Sequence, residues 1–357
     1  QKVNFTGPII AGLFTVLGFA FFGKNLLNSM PIIFGVYLYA KLEHKPFSNY
    51  MLPALFGTAL SPAVSTIMFG KYLPLAQGLL IGTVVGIVLG LVIPPLSAHF
   101  LHFHQGFNLY NIGFTAGIVG MLLLALMNKI GFHVETVSIL SSGNNFFFAS
   151  FITGLSLFLI IGGLLLNGMR LIGYGKLTSR SGKLLTNFVE LDGVGLTAFN
   201  MGVLGLIAVI AIFALGGDFN GPILGGIFTL MGFGAFGKHP KNCLPIMTGV
   251  LIASLINPNA IPATNLLLAL LFGTTLAPLA GRYGVIAGVF AGFVHLSLVA
   301  NVGFLHGGMN LYNNGFAGGL VALFLKPIYD AILSIKSRRI KGGFFKNIEE
   351  KNNHEDE

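Results

Sequence analysis

Apolar residues fall in twelve stretches along the chain, at about 7–22, 30–41, 49–69, 72–95, 107–127, 145–168, 198–217, 219–237, 244–257, 262–280, 283–302 and 309–329. Several approach the ~20 residues needed to span the ~30 Å hydrocarbon core of a bilayer. None shows the apolar-polar alternation of a barrel strand. They therefore read as helices, which satisfy their own backbone in lipid. Two stretches, 30–41 and 244–257, are short, since twelve helical residues rise only ~18 Å. Pro31 and Pro245 sit near their starts, as Pro8 and Pro222 do in other stretches, where proline is tolerated. The short pair are expected to be half-helices or re-entrant elements. Each would join its preceding helix through a break, at 23–30 and 237–244, buried in protein or lining a cavity.

The pattern is duplicated. Residues 5–36 align with 219–250 without a gap, and 17 of the 32 positions are identical. The segment 56–62 (Phe-Gly-Thr-Ala-Leu-Ser-Pro) returns at 272–278, and the His-x-Gly-x-Asn-Leu-Tyr-Asn-x-Gly-Phe motif of 104–114 returns at 306–316. If every stretch crosses the membrane, seven crossings separate Gly7 from Gly221 and the two repeats run in opposite senses. If the short stretches do not cross, the count is six and the repeats are parallel. The inverted arrangement is favoured, because it also brings the basic linker and the basic tail to one face. An apolar stretch, 198–217, precedes the second repeat, and its counterpart in the first half would precede Gln1.

Composition sharpens this picture. The chain is 54% hydrophobic and 9% charged, with a mean hydropathy of +0.83, against roughly 25% charged residues in soluble domains. Fifty glycines without a three-residue period suit close helix packing in lipid and exclude collagen. The net charge is +9, and basic residues cluster in a linker (Arg170, Lys176, Arg180, Lys183) and in the tail (Lys336, Arg338, Arg339, Lys341, Lys346). That placement reads as positive-inside bias, with a cytoplasmic tail, and not as a nucleic-acid surface. Cys243 is the single cysteine, so no intrachain disulfide or cysteine-cluster metal site is available. Of the eleven acids, six are Glu43, Glu135, Glu190, Asp192, Asp218 and Asp330, and five lie in the tail. None falls at the centre of an apolar stretch, which argues against proton relays and acidic cation filters and leaves neutral or anionic solutes. No nucleophile–base–acid set, P-loop or dinucleotide fingerprint stands out, so an enzyme is not expected.

Three duplicated motifs are candidates for chemistry. Gly23, Lys24, Asn28 and Pro31 recur as Gly237, Lys238, Asn242 and Pro245. A lysine beside a membrane-buried break is costly unless it faces protein or water. It either supplies a fixed positive charge for a solute or snorkels to the interface. The second motif brings His104, Asn108 and Asn111 with their counterparts His306, Asn310 and Asn313. These amides either replace a solute's hydration or cap helices, with the intervening tyrosines as interface anchors. A zinc site from the histidines lacks further ligands. In the third motif, Thr58 and Thr274 either line a pore or bond back to their own helix.

The order of these motifs resembles the urea transporter family. The eight-residue step from Gly23 to Pro31, and from Gly237 to Pro245, is similar to that family's Gly-Gln stretch ending in Asn-Pro, and the segments 106–111 and 308–313 resemble its Tyr-Asn motif. The chain also resembles a group of bacterial membrane proteins of unknown function. The first resemblance implies an inverted-repeat channel, commonly trimeric, passing urea between phenylalanine rings along a ladder of oxygens. The chain departs from it where Lys24 and Lys238 replace a pore glutamine, where Met30 and Leu244 replace the asparagine before proline, and in having no acidic pore residues. Such a pore suits an anion or a carbonyl-rich solute better than urea.

The expected protein is thus an all-α, polytopic membrane protein. Its parts are a first repeat over 1–128, a connecting helix and linker over 129–197, a second repeat over 198–335 and a charged, mobile tail over 336–357. It would move a small polar or anionic solute, channel-like, through a site between the repeats. An ion-coupled alternating-access carrier and a non-transporting scaffold or receptor are the alternatives. The site would comprise Lys24, Asn28, Lys238 and Asn242, the histidines and asparagines of the second motif, Thr58 and Thr274, with Phe22, Phe114, Phe236 and Phe316 as walls. No cofactor or metal is implied. Lipid and a small solute are the partners, with a homo-oligomer expected in a cell membrane.

Overall fold

The computed structural model describes residues 5–134, 139–184, 186–256 and 263–355. Glu135, Asp356, Glu357 and the facing ends of the stretches 244–257 and 262–280 lie outside the described residues. The first half contains α1 (Gly7–Phe19), α2 (Leu26–Leu42), α3 (Met51–Gly57), α4 (Ser61–Phe69), α5 (Leu75–His104) and α6 (Asn111–Lys129). A connecting region follows, with α7 (Asn145–Leu166) and the short α8 (Tyr174–Leu177) and α9 (Phe188–Asp192). The second half contains α10 (Val194–Ala214), α11 (Gly221–Gly232), α12 (Pro240–Ile256), α13 (Ala263–Phe272), α14 (Ala277–Tyr283), α15 (Val285–Val299) and α16 (Asn313–Glu355). Among the described residues there is no strand, only an isolated bridge between Asn187 and Phe236. Among the described residues, seven helical stretches are long and apolar enough to cross a membrane, and five shorter apolar helices accompany them. The protein is an all-α, multi-pass membrane protein.

The two repeats are inverted. The start of α1 lies against the end of α11, with Gly7 packed on the Ala235 carbonyl, while the start of α11 lies against the end of α1, with Gly221 packed on the Phe21 carbonyl. The pairing within each half is the same: α2 packs most extensively on α5, and α12 on α15. Both pairs close through glycines. A Cβ on Gly35 would collide with the Ile87 carbonyl and one on Gly90 with the Ile32 carbonyl; in the second half Gly249 meets the Val289 carbonyl and Gly292 the Ile246 carbonyl. Without a hydrophobic drive between helices in lipid, such backbone-to-backbone approach is the main source of attraction. The α7–α10 pair flanks the second half, and α1–α11 and α6–α16 join the halves.

Two sequence expectations need correction. The short stretches are longer than expected, because α2 and α12 have 17 residues each, about 25 Å of rise. The reason is capping. The Asn25 side chain accepts from the Asn28 N–H and Asn28 Oδ1 accepts from the Asn25 N–H, which starts α2 at Leu26. The breaks therefore fall before Leu26 and Pro240, and Pro31 and Pro245 lie inside their helices. The charged stretch from 336 is helical as far as Glu355, as the continuation of α16.

Candidate functional site

The breaks between α1 and α2 and between α11 and α12 carry the lysines. Each amine sits 5.1 Å from the centroid of an equivalent ring, Lys24 over Phe19 and Lys238 over Phe233. Phe19 packs on Tyr312 at 4.7 Å and Phe233 on Tyr110 at 4.8 Å, so each lysine's ring contacts a tyrosine of the other half. The tyrosines meet at 5.3 Å, and Phe272 and Phe56 close the group against Phe19 and Phe233 at 5.9 and 5.7 Å. The amines thus flank a shared aromatic septum. The kinks do not face each other across an open polar passage, as the sequence reading expected.

The pseudo-symmetry fails at the amines. Lys238 is fully buried and donates to the Tyr110 hydroxyl at 2.5 Å and to Thr274 Oγ1 at 2.7 Å. The equivalent group on the other side is Lys24, Tyr312 and Thr58, and there the bonds are absent: Lys24 Nζ and the Tyr312 hydroxyl are buried with no partner. Thr15 and Thr229 stand close to the Tyr312 hydroxyl, but each donates to its own helix, to the Ala11 and Gly225 carbonyls. Among the described residues no carboxylate pairs with either lysine.

The surroundings differ too. Lys24, 8% exposed, lines a cavity of about 400 Å³ with Gly23, Asn25, Asn28, Pro62, Ser65, Thr66, Val134, Gly307 and Gly308. A second space of about 460 Å³ shares Ser65, Thr66 and Val134 with it and adds Lys71 and His133. No acid is found among the described residues lining either. Around Lys238 the linker fills the corresponding volume. His239 Nε2 bonds the Arg180 carbonyl at 2.9 Å, Gly182 presses on the Gly237 carbonyl, and the Leu184 N–H donates to the Gly106 carbonyl at 2.9 Å. A bidentate pair, Arg180 to Asp192 at 2.8 Å on both oxygens, anchors this linker and holds the guanidinium above its ordinary pKa.

The other expected residues serve mostly to join the halves. Asn28 and Asn242 close their own breaks by donating to the Gly23 and Gly237 carbonyls, and Asn28 also reaches Ser65 Oγ at 2.9 Å. Asn108 donates to the Gly315 carbonyl at 3.1 Å and Asn310 to the Gly113 carbonyl at 3.3 Å, crossing between the repeats. His104 and His306 each bond the asparagine seven residues on, Asn111 at 2.9 Å and Asn313 at 3.0 Å. Thr58 and Thr274 bond back to the Leu55 and Leu271 carbonyls, and only Thr274 also receives a lysine. Phe114 and Phe316 stack on each other, 6.2 Å apart, in the seam. Phe236 lines a cavity of about 100 Å³ between the halves, beside Tyr110 and Tyr312; Phe22 lines a separate cavity of about 400 Å³ with Asn265, Asn313 and Asn314. Sequence reasoning missed Tyr110, Tyr312, Phe19, Phe233, Asn25 and Ser65. The tyrosines lie inside the duplicated motif, yet their ring character pointed to an interface anchor.

A family described as "Protein of unknown function (DUF1576)" matches residues 1–129 and 166–331. This agrees with the resemblance to membrane proteins of unknown function and lends nothing to the urea-transporter likeness. Comparison with curated proteins and with solved structures gives no significant match.

Proposed function

The chain belongs to this family of unknown function, and we propose that it carries a small polar or anionic solute across a cell membrane by alternating access at the seam between its repeats. One observation carries the reading: two equivalent lysines of an inverted repeat occupy different states, Lys238 latched to Tyr110 and Thr274, Lys24 unlatched beside an open cavity. Inverted repeats held in unequal conformations are what alternating access requires, because exchanging the two conformations moves the opening from one face to the other. A buried charge with no counter-ion is costly and is retained in membrane proteins chiefly for function. The basic linker lies beside the start of the tail, through Ser181 on Gly281 and the Tyr283–Asp330 bond. Positive-inside bias assigns that face to the cytoplasm, and the Lys24 cavity then opens outward.

A channel is the second reading. The aromatic septum and the linker over Lys238 weigh against it, since they close the route between the amines. Uptake of labelled small anions, urea and acetamide into liposomes tests the proposal. Saturable uptake of at least one solute is expected, reduced at least tenfold by Lys24→Met. Uptake no faster than in protein-free liposomes across the panel would favour a non-transporting scaffold.

A further inference from the structure

We infer that the Lys24 cavity binds a small, oxygen-bearing monoanion, a carboxylate or an oxyanion of similar size. The inference deepens the transport reading by naming the solute class, and it rests on that reading. Three acceptors of the cavity lining are already engaged: Asn25 Oδ1 by the Asn28 N–H, Asn28 Oδ1 by the Asn25 N–H and Ser29, and the Gly23 carbonyl by Asn28. Lys24 Nζ is a donor left over, buried and without any partner. Lys24 lines the cavity while its Nζ lies covered over the Phe19 ring, so a turn of that side chain brings one donor and one positive charge to a solute that supplies acceptors and one negative charge. Asn25, the N-cap of the 17-residue α2, is part of the lining, so the positive end of that helix dipole adds to the same potential.

The latched twin shows what satisfies such an amine: two oxygens, at 2.5 and 2.7 Å. A carboxylate or nitrate presents two oxygens of that kind and also the charge that hydroxyls lack. A volume of about 400 Å³ admits such an anion with several waters, each needing about 30 Å³.

Binding is tested on the purified full chain in detergent, with no membrane and no transport. Formate, acetate and nitrate are titrated in place of chloride at constant ionic strength, with urea and acetamide as neutral shape mimics. Unfolding is followed by thiol-reactive dye on Cys243, which is 1% exposed. At least one oxygen-bearing anion is expected to raise Tm saturably, with no response to urea or acetamide. Lys24→Met is expected to raise Tm without added anion, by removing an unpaired charge, and to abolish the response. Lys24→Arg should retain it with an altered affinity, and Lys45→Met, at an exposed lysine, should leave it unchanged. An equal response to the neutral mimics, or an undiminished response in Lys24→Met, overturns the inference. Loss of the anion response together with liposome flux of a neutral solute would leave the transporter and remove the anion. Anion binding without flux would leave the site and remove transport.

Discussion

Deleting one oxygen atom from each of two equivalent tyrosines should have opposite effects. Tyr110→Phe removes the hydroxyl that accepts from Lys238 at 2.5 Å in a fully buried setting. A hydrogen bond from a charged donor contributes about 1.5–3 kcal/mol, and here one ammonium proton is left without a partner. A loss of that size lowers Tm by roughly 3–10 °C. Tyr312→Phe removes a hydroxyl that is buried and bonds to nothing. Its burial without a partner costs about 1–3 kcal/mol, so its removal leaves Tm unchanged or raises it. The assay is thermal unfolding in detergent, reported by labelling of the buried Cys243 and checked by helical circular dichroism. Equal destabilisation by the two substitutions would refute the reasoning, because it would mean that the Tyr312 hydroxyl is engaged like its twin. In transport the same pair should act on populations. Weakening the latch around Lys238 by about 1.4 kcal/mol shifts the balance between the two states tenfold.

Other outcomes follow from the packing. Gly35→Ala and Gly249→Ala each drive a Cβ into a carbonyl of the facing helix and should cost about 1–3 kcal/mol or more, read as a lowered Tm or loss of folded protein. Arg180→Ala leaves Asp192, whose side chain is 3% exposed, without its bidentate partner. The penalty should be about 2 kcal/mol, below that of a fully buried pair because Arg180 is 22% exposed, and the linker should become cleavable by protease under native conditions. Asn108→Ala removes bonds to the Gly315 carbonyl and from Thr275 across the seam. A cost of about 2 kcal/mol is expected in thermal unfolding, with Asn310→Ala costing less, because Ala59 stands where the other half has Thr275 and Asn310 lacks that hydroxyl partner.

Much of the architecture was legible in the chain. The twelve apolar stretches correspond to the helical spans, and the seven crossings between Gly7 and Gly221 fix the opposite senses of α1 and α11, because lipid leaves the backbone few alternatives. The pairs Gly35–Gly90 and Gly249–Gly292 show why so many glycines were needed. The site was legible only in part. Lys24 and Lys238 stood out because a charge at a membrane break is expensive, yet the shared Gly-Lys and Asn of their motifs hid their different states. That difference arises from tertiary structure: the linker from Arg180 to Leu184 covers one break, while the other opens on a cavity. The asparagines of the second motif were read as solute ligands or caps, but their amides hold the halves together across some 200 residues of sequence. Asn25 was the overlooked local signal. Its counterpart is His239, which bonds the linker, so this polar difference between the breaks marks the side that is covered.

Access to the two breaks from the two faces tests the central claim most directly. In a Cys243→Ser background, Asn25→Cys and His239→Cys place thiols at equivalent positions, and a membrane-impermeant thiol reagent is applied from either side of sealed vesicles. Asn25→Cys should react only from the face opposite the linker, and His239→Cys should be protected until solute or Arg180→Ala shifts the balance. Its labelling should then rise from the linker face as that of Asn25→Cys falls. Simultaneous labelling of both positions from opposite faces, unaffected by solute or by Arg180→Ala, would contradict alternating access.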